Sequence, residues 1–345
     1  MRTYLLPESG NFYKANLHCH STFSDGKLTP EEIKRIYMEQ GYSIVAYTDH
    51  NIMIPHQELR DENFLPLNGF EGDFNEGAAT IDPNLGTIRC CHICFISPEE
   101  HNPRQLCWHR SEYLFHGNNK ENSKYVNFDE NEPDYVRYYT PESINDYIAH
   151  FRDAGFFITY NHPTWSLENY REYSHYEGMD AMEICNYGCY AGGFDEENSH
   201  CYDDLLRQGK RIGCIGADDN HNHSPRDSAK WDSFGAWTCI KAPELTYDAV
   251  FAALKRGDYY ASRGPVIDEL YFEDGKVTIK CSPAKRIALH TGWRRADIRM
   301  NRDGRLLTEA TFDVQPRDKY IRISVTDEEG NPAHTKAYFL DQLGY

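Results

Sequence analysis

The sequence has no long apolar run: no window of its 345 residues approaches the roughly 18 consecutive apolar residues of a membrane span. The first ten residues carry no apolar stretch of the secretory kind, so a soluble chain in the cytoplasm is expected. Cysteine is too sparse for a disulfide scaffold, and its odd count of 11 does not allow full pairing, which fits a reducing compartment. Basic residues are short as well. There are 36 Lys and Arg against 54 Asp and Glu, a net charge of −18, which disfavours a sequence-neutral grip on nucleic acid or on an anionic membrane. Internal repeats and low-complexity tracts are absent, which removes solenoids and disordered arrays.

What is present is histidine, unevenly placed. Residues 1–264 hold 14 of the 16 histidines and face 41 acidic with 23 basic residues, whereas 265–345 carry 13 of each sign. Imidazoles and carboxylates gathered in one region make metal the first candidate, against the plain alternative of a solvated acidic surface. The length fits two domains, or one large domain with an appendage.

The region up to residue 264 alternates helix and strand signals. Thr29, Pro30 and Glu32 form an N-terminal capping signature, Ile33, Ile36 and Tyr37 fall on one helical face, Gly41 ends the helix, and a strand is predicted at 44–47. Thr140-Pro141 repeats the phrase with Ile144, Tyr147, Ile148 and Phe151, then Gly155 and a strand at 156–160. A weaker copy runs over 205–209 and 211–216. Apolar runs at 64–67, 88–96, 181–185 and 236–240 read as further buried strands, so a parallel sheet or a barrel is predicted. Residues 97–139, rich in Asn, Glu, His and Tyr, break the rhythm as a lid or a mobile insertion. After a helix at 247–255, Arg263-Gly264-Pro265 marks a boundary, beyond which short alternating segments predict a small antiparallel β-sandwich or sheet domain.

The strongest local signal is His18-Cys19-His20 followed by Asp25-Gly26. On a strand, residues 18 and 20 share a face, and the turn can return Asp25 toward them. Alone, such a pair is as often a surface accident or a hydrogen-bonded core pair. Recurrence changes the balance. Asp49-His50 follows the run at 44–48, Glu71 follows 64–67, His92 lies within 88–96, His162 follows 156–160, and Asp219-Asn220-His221 follows 212–216. Ligand-type residues at or near the C-terminal ends of successive strands describe the top of a βα barrel. Nine of them exceed what one four-coordinate ion needs, so a cluster of two or three metals is expected.

In order and spacing, His18-x-His20, Ser24-Asp25-Gly26, Thr48-Asp49-His50, Glu71, His92, Asn161-His162-Pro163 and Asp219-x-His221 resemble the motifs of the polymerase and histidinol phosphatase (PHP) domain family, over about residues 16–265. The resemblance implies a distorted (β/α)7 TIM-like barrel that hydrolyses phosphoesters with two or three divalent metals. Carried over by position, one ion takes His18, His20, Glu71 and Asp219; a second shares Glu71 and adds His92 and His162; a third uses Asp25, His50 and His221. Some relatives have His where Asp25 stands, and a carboxylate there favours manganese, iron or magnesium over zinc. The segment beyond 264 matches no motif of the family.

No Ser or Cys nucleophile is required: a water between two ions attacks, and Asp25 or the third ion could support the leaving group. Arg226 and Lys230, with Arg104, Arg110 and Lys120 in the insertion, are candidates to clamp a substrate phosphate, Arg226 and Lys230 foremost. The Cys91-to-Cys94 CxxC has no second pair at zinc spacing and reads as buried core. Asp218 reads as support for Asp219, Glu183 and Asn186 as packing or capping residues, and His101, His109, His116 and His223 as surface or lid residues. The leading expectation is a cytoplasmic phosphatase of a small phosphorylated molecule, with zinc, manganese or iron. Alternatives are a nuclease or phosphodiesterase acting on nucleic acid or a cyclic nucleotide, against which the acidity weighs, a metal-dependent amide or ring hydrolase, and a non-catalytic metal-binding module.

Overall fold

The computed structural model describes residues 2–77 and 88–344. Strands in the first 264 residues are β1 (Thr3–Tyr4), β2 (Asn11–Asn16), β3 (Ile44–Tyr47), β4 (Leu65–Asn75), β5 (Cys90–Ile96), β6 (Phe157–Tyr160), β7 (Ala181–Asn186), β8 (Gly213–Ala217), β9 (Trp237–Ala242) and β10 (Tyr259–Ser262). Beyond them lie β11 (Ile267–Glu273), β12 (Lys276–Ala284), β13 (Arg286–Thr291), β14 (Ala296–Arg299), β15 (Leu307–Asp313), β16 (Tyr320–Thr326), β17 (Pro332–Thr335) and β18 (Tyr338–Phe339). The helices are α1 (Pro30–Met38), α2 (Asn119–Asn122), α3 (Pro141–Asp153), α4 (Tyr170–Tyr173), α5 (Tyr187–Gly192), α6 (Ser199–Arg207) and α7 (Tyr247–Arg256). Among the described residues no helix is long and apolar enough to cross a membrane.

Helices α1 and α3 begin where the capping chemistry placed them, whereas the helix expected over 205–209 is α6, which starts earlier, at Ser199. Thr29 accepts from the Glu32 backbone while the Glu32 side chain returns to Thr29, and Thr140 caps α3 through the Ser143 N–H, each cap contributing about 1 kcal/mol. The apolar face of α3, with Ile144, Tyr147, Ile148 and Phe151, is buried against Phe70 and Phe95 of the sheet. Phe151 and Phe95 lie 4.4 Å apart between ring centroids.

The architecture is mixed α/β around one large sheet, in which β9, β2, β3, β4, β5, β6, β7 and β8 are successive neighbours. It departs from the expected parallel barrel in two ways. First, β5 runs antiparallel to both β4 and β6, so two parallel triplets, β2-β3-β4 and β6-β7-β8, are joined through one reversed strand. This is possible because β4 is 11 residues long: Leu65 to Asn68 pair with β3, and Gly69 to Asn75 pair with β5. Second, no strand ladder closes the ring between β8 and β2. The free edge of β2 is occupied by β9, which pairs antiparallel with Asn11 to Ala15. The end of β8 is met by Asn16, whose Oδ1 accepts from the Asp218 N–H at 2.9 Å, and by the chain just beyond β2, where Asp219 N–H donates to His18 O at 2.9 Å and His20 N–H to Asn220 O at 3.1 Å.

Past residue 264, β11, β12 and β15 form a four-stranded antiparallel sheet with β1, while β13, β14, β16 and β17 extend the large sheet through the β17–β10 pairing. The two sheets share a buried cluster that includes Leu270, Val277, Ile279, Phe312, Leu289 and Ile323. Buried Arg322 on β16 reaches Asp203 of α6 with two hydrogen bonds of 2.7 and 2.8 Å.

One buried carboxylate anchors the turn after β6. Glu168 accepts hydrogen bonds from Tyr160 at 2.6 Å, from Tyr139 at 2.8 Å and from Tyr176, and its N–H donates to Pro163 O. Burial pushes its carboxyl up to about 7, against the three tyrosine donors. A carboxyl raised in the folded state favours folding while it is protonated, and that contribution, roughly 3 kcal/mol, is lost as pH rises from about 4.5 to about 7. Glu168→Gln is therefore expected to flatten the fall in urea midpoint between pH 5 and 7.5. An identical pH slope in the two proteins would contradict this account.

Candidate metal centre

The nine histidines and carboxylates marked by the sequence converge on one end of the sheet. His18 and His20 follow β2, Asp25 lies in the next turn, His50 follows β3, and Asp219 and His221 follow β8. Glu71 does not follow a strand but lies inside the long β4, and His92 stands near the N-terminal end of β5 rather than its C-terminal end. The reversed direction of β5 is what brings that end to the site, with His92 opposite Asp73 of β4. His162 follows β6 with φ of 25°, and Asp219 has φ of 51°. Side chains other than glycine in left-handed backbone cost on the order of 1–3 kcal/mol and persist where the surroundings fix them.

Glu71 is the centre. It is buried, with Oε1 at 3.2 Å from His18 Nε2, 3.2 Å from His162 Nε2 and 3.3 Å from His92 Nδ1. Oε2 lies 3.2 Å from His50 Nδ1 and 3.5 Å from His20 Nε2. Asp219 Oδ1 stands 3.2 Å from His18 Nε2 and 3.0 Å from His20 Nε2, and those two ring nitrogens are 3.0 Å apart. On the outer side, Asp25 faces His20, His50 and His221 at 3.9, 3.7 and 3.6 Å.

These residues fit divalent cations. Nitrogen and oxygen donors of the required kind lie within 4.8 Å of one another in several groups, including His18/His20/Asp219, His18/Glu71/His162, His50/Glu71/His92 and His20/Asp25/His50/His221. Four of the donor atoms, His20 Nδ1, His50 Nδ1, Glu71 Oε2 and Asp219 Oδ1, are buried with no hydrogen-bond partner, an arrangement that is costly unless something binds there. Burial would raise Glu71, but the imidazoles of His18 and His92 and the hydrogen bond from His162 hold it well below the usual carboxylate range. Burial and the neighbouring His20 hold His50 low, which keeps it in the neutral, ligating form. At His18 burial is outweighed by Asp219, Cys94, Glu71 and Glu183, which raise it, so a proton competes with a cation for Nε2.

A second set of residues orients the donors. Glu183 on β7 accepts at Oε1 from His18 Nδ1 at 2.7 Å, which turns the His18 Nε2 lone pair inward. Its Oε2 accepts from the His162 N–H and from Asn186 Nδ2, both at 2.9 Å. Asn186 also donates to Asp219 Oδ2 at 3.1 Å and caps α5. Asp49 accepts from the backbone and hydroxyl groups of both Ser21 and Ser24, fixing the turn that presents Asp25. Asp218 accepts from the N–H groups of Phe234, Gly235 and Ala236 and from Tyr37, and burial pushes it up to about 6.

Glu183 was read from sequence as a packing or capping residue; a carboxylate inside the apolar run at 181–185 was the available signal, and only the fold shows that β7 faces His18. His116 was read as a surface or lid residue, yet it lies in the site, its ring stacked 3.9 Å from His50. Arg226 and Lys230 are not brought in. Both are exposed; Arg226 stands 3.6 Å from Glu39 and over Phe234. Arg104 pairs with Asp129 and Arg110 with Asp134. A cavity of about 390 Å³ opens over the cluster, walled on one side by Trp165 and Phe194, and no Lys or Arg is among the described residues that line it.

No family model matches the chain, and no curated protein matches it. Among the solved structures that resemble it loosely are the following three. A two-domain protein from Bacteroides vulgatus, said to contain a predicted PHP-like metal-dependent phosphoesterase, is 13% identical over 97% of this chain and 98% of that one, with a TM-score of 0.42. A candidate metal-dependent phosphoesterase from Bifidobacterium adolescentis is 14% identical over 65% and 91%, with a TM-score of 0.36. An amidohydrolase from Chromobacterium violaceum, with bound sulfate and no metal, is 16% identical over 60% and 87%, also with a TM-score of 0.36.

Because Glu183 sets the His18 ring without reaching the cluster's centre, Glu183→Gln is expected to fold and to bind divalent cations roughly 10- to 100-fold more weakly. Titration of the metal-free protein with Mn²⁺ measures this, and unchanged affinity would remove Glu183 from the role assigned to it.

Proposed function

We propose that the chain is a metal-dependent hydrolase that cleaves a phosphoester, foremost a small phosphomonoester, with two or three divalent cations held by His18, His20, Asp25, His50, Glu71, His92, His162, Asp219 and His221. The observation that carries this is the buried Glu71 carboxylate within 3.5 Å of five imidazoles. In this reading β2 to β8 form a distorted barrel, pinned at its top by the hydrogen bonds between the chain after β2 and the chain after β8.

When bound, such ions lower the pKa of a coordinated water and neutralise charge on phosphoryl oxygens. The chain's residues supply the rest. Glu71 and Asp219 place carboxylate oxygens between pairs of imidazoles, and these donors would hold the cations. Asp25 is the cluster's most exposed carboxylate. Burial would raise it, but His20, His221 and His116 hold it low, so it faces the cavity as a carboxylate that would hold the outer cation, beside which the leaving oxygen would be stabilised. Trp165 packs against His92 and His162, with ring centroids 5.3 and 5.1 Å away, and screens those rings from water.

The cavity's lining supports the substrate class. With no Lys or Arg among the described lining residues to meet a phosphate, its charge would be balanced by the cations of the cluster, which suits one phosphoryl group better than a long polyanion. The net charge of −18 also weighs against extended nucleic acid. A cytoplasmic location is part of this proposal, in keeping with 11 free cysteines.

Two outcomes test the reading. Protein loaded with Mn²⁺ or Zn²⁺ is expected to hydrolyse phosphomonoesters from a panel that also holds phosphodiesters, amides and single-stranded DNA, and preferred hydrolysis of the DNA would reverse the assignment. Glu71→Ala and His18→Ala are expected to remain folded while losing bound metal and roughly 100-fold or more of the activity. Full metal occupancy in either variant would show that the ligands are wrongly assigned.

A further inference from the structure

The insertion at 97–139 docks on the very loop that carries Asp25. Asn118 N–H donates to Ser24 O at 2.7 Å, its Nδ2 to Thr22 O at 3.0 Å, and Asn122 Nδ2 to Phe23 O at 3.1 Å. Asn119 Nδ2 reaches His50 O at 3.0 Å. Gly117, with φ of +52°, lies so close to this loop that a Cβ there would stand 2.1 Å from Ser24 O. Held on both sides in this way, the preceding residue, His116, enters the metal centre from a part of the chain that the strand-end pattern does not cover.

Four imidazoles surround the Asp25 carboxylate at nearly one distance. Oδ1 is 3.6 Å from His221 Nε2 and 3.9 Å from His20 Nδ1; Oδ2 is 3.7 Å from His50 Nε2 and 3.9 Å from His116 Nδ1. These contacts are too long for hydrogen bonds. They suit donors that share an ion, since two donors each about 2.1 Å from a metal lie roughly 3.0 to 4.2 Å apart. His20, whose Nε2 stands 3.0 Å from Asp219 Oδ1 on the inner side, lines this position with Nδ1 and is not counted among its ligands.

The far side of His116 has the form of a ligand's support. Nε2 is buried and faces Asp73 Oδ1 at 3.6 Å, beyond hydrogen-bond length, so a small shift of the ring is needed to close that contact when Nδ1 takes a cation. Asp73 is itself fixed by Asn51 and by Asn75 Nδ2 at 2.6 Å, and buried Arg137 bonds both Asn51 and the Asp73 carbonyl. A carboxylate behind an imidazole whose other nitrogen faces a cation is the usual outer support of a metal-binding histidine.

Resting on the metal-centre reading above, we propose that His116 is an additional ligand of the outer cation, through Nδ1, with Asp73 as its positioning residue. The outer site then draws on Asp25, His50, His116 and His221, and the insertion is a structural part of the metal centre rather than a cover over it.

The test is titration of the metal-free full chain with Mn²⁺ by calorimetry, together with elemental analysis of the loaded protein. Wild type is expected to bind three equivalents, His116→Ala two, and Asp73→Asn three with the weakest step loosened by roughly tenfold. His101→Ala, an exposed control in the same insertion, should match wild type. His116→Asn, whose amide oxygen can stand near the place of Nδ1, should recover part of the third step, and its thermal unfolding without metal shows whether the fold is intact. Three equivalents with unchanged affinities in His116→Ala, or no third equivalent in wild type, would overturn the proposal. Glu71→Ala is titrated alongside: if it keeps the two tight steps, the parent reading fails, whatever His116 does.

Discussion

A single buried carboxylate sets the terms for the rest of the structure. Glu71 lies among five imidazoles in a place where neither an isolated charge nor unpaired donors would be tolerated without compensation. Burial of so many polar atoms works against folding unless they bind one another or a cation, and the unpartnered atoms at His20, His50, Glu71 and Asp219 show that they do not fully satisfy one another. A cation bound there would therefore stabilise the folded chain, as expected where donors are assembled only on folding.

The sheet is shaped around that requirement. β4 overruns β3 by enough residues to carry Glu71 and Asp73 beyond the parallel ladder, and β5 returns along it so that His92 arrives from the opposite direction. β9 takes the edge of β2, leaving the chain at 18–20 and 218–220 to pair through a few bonds and to place His18, His20 and Asp219 together. Each donor is then set by a neighbour: His18 by Glu183, His162 by Glu183 and a left-handed backbone, and Asp25 by the serines on Asp49.

Much of this was legible in the sequence because it is local. The caps at Thr29 and Thr140 and the helical faces behind them depend on residues a few positions apart, and the structure has them where the pattern put them. Ligand-type residues beside apolar runs pointed to one end of a sheet because strand direction and side-chain alternation are regular. What could not be read depends on long-range pairing. The reversal of β5 leaves no periodic trace, since a buried antiparallel strand and a buried parallel one are equally apolar. His116 lacks any strand signal and acquires its place through hydrogen bonds to residues 22–24 and 50. Arg226 and Lys230 were chosen for nearness in sequence to Asp219 and His221, but the chain turns them outward, where Arg226 meets Glu39.

The central claim is that Glu71 joins a cluster of cations. A crystal of the metal-loaded protein, with diffraction recorded on both sides of the absorption edge of the added metal, tests it most directly. The account predicts at least two anomalous peaks, each about 2.0–2.3 Å from a Glu71 oxygen or a His18, His20, His92, His162 or Asp219 donor atom. Absence of any ion within coordinating distance of Glu71, with metal found elsewhere on the chain, would contradict it.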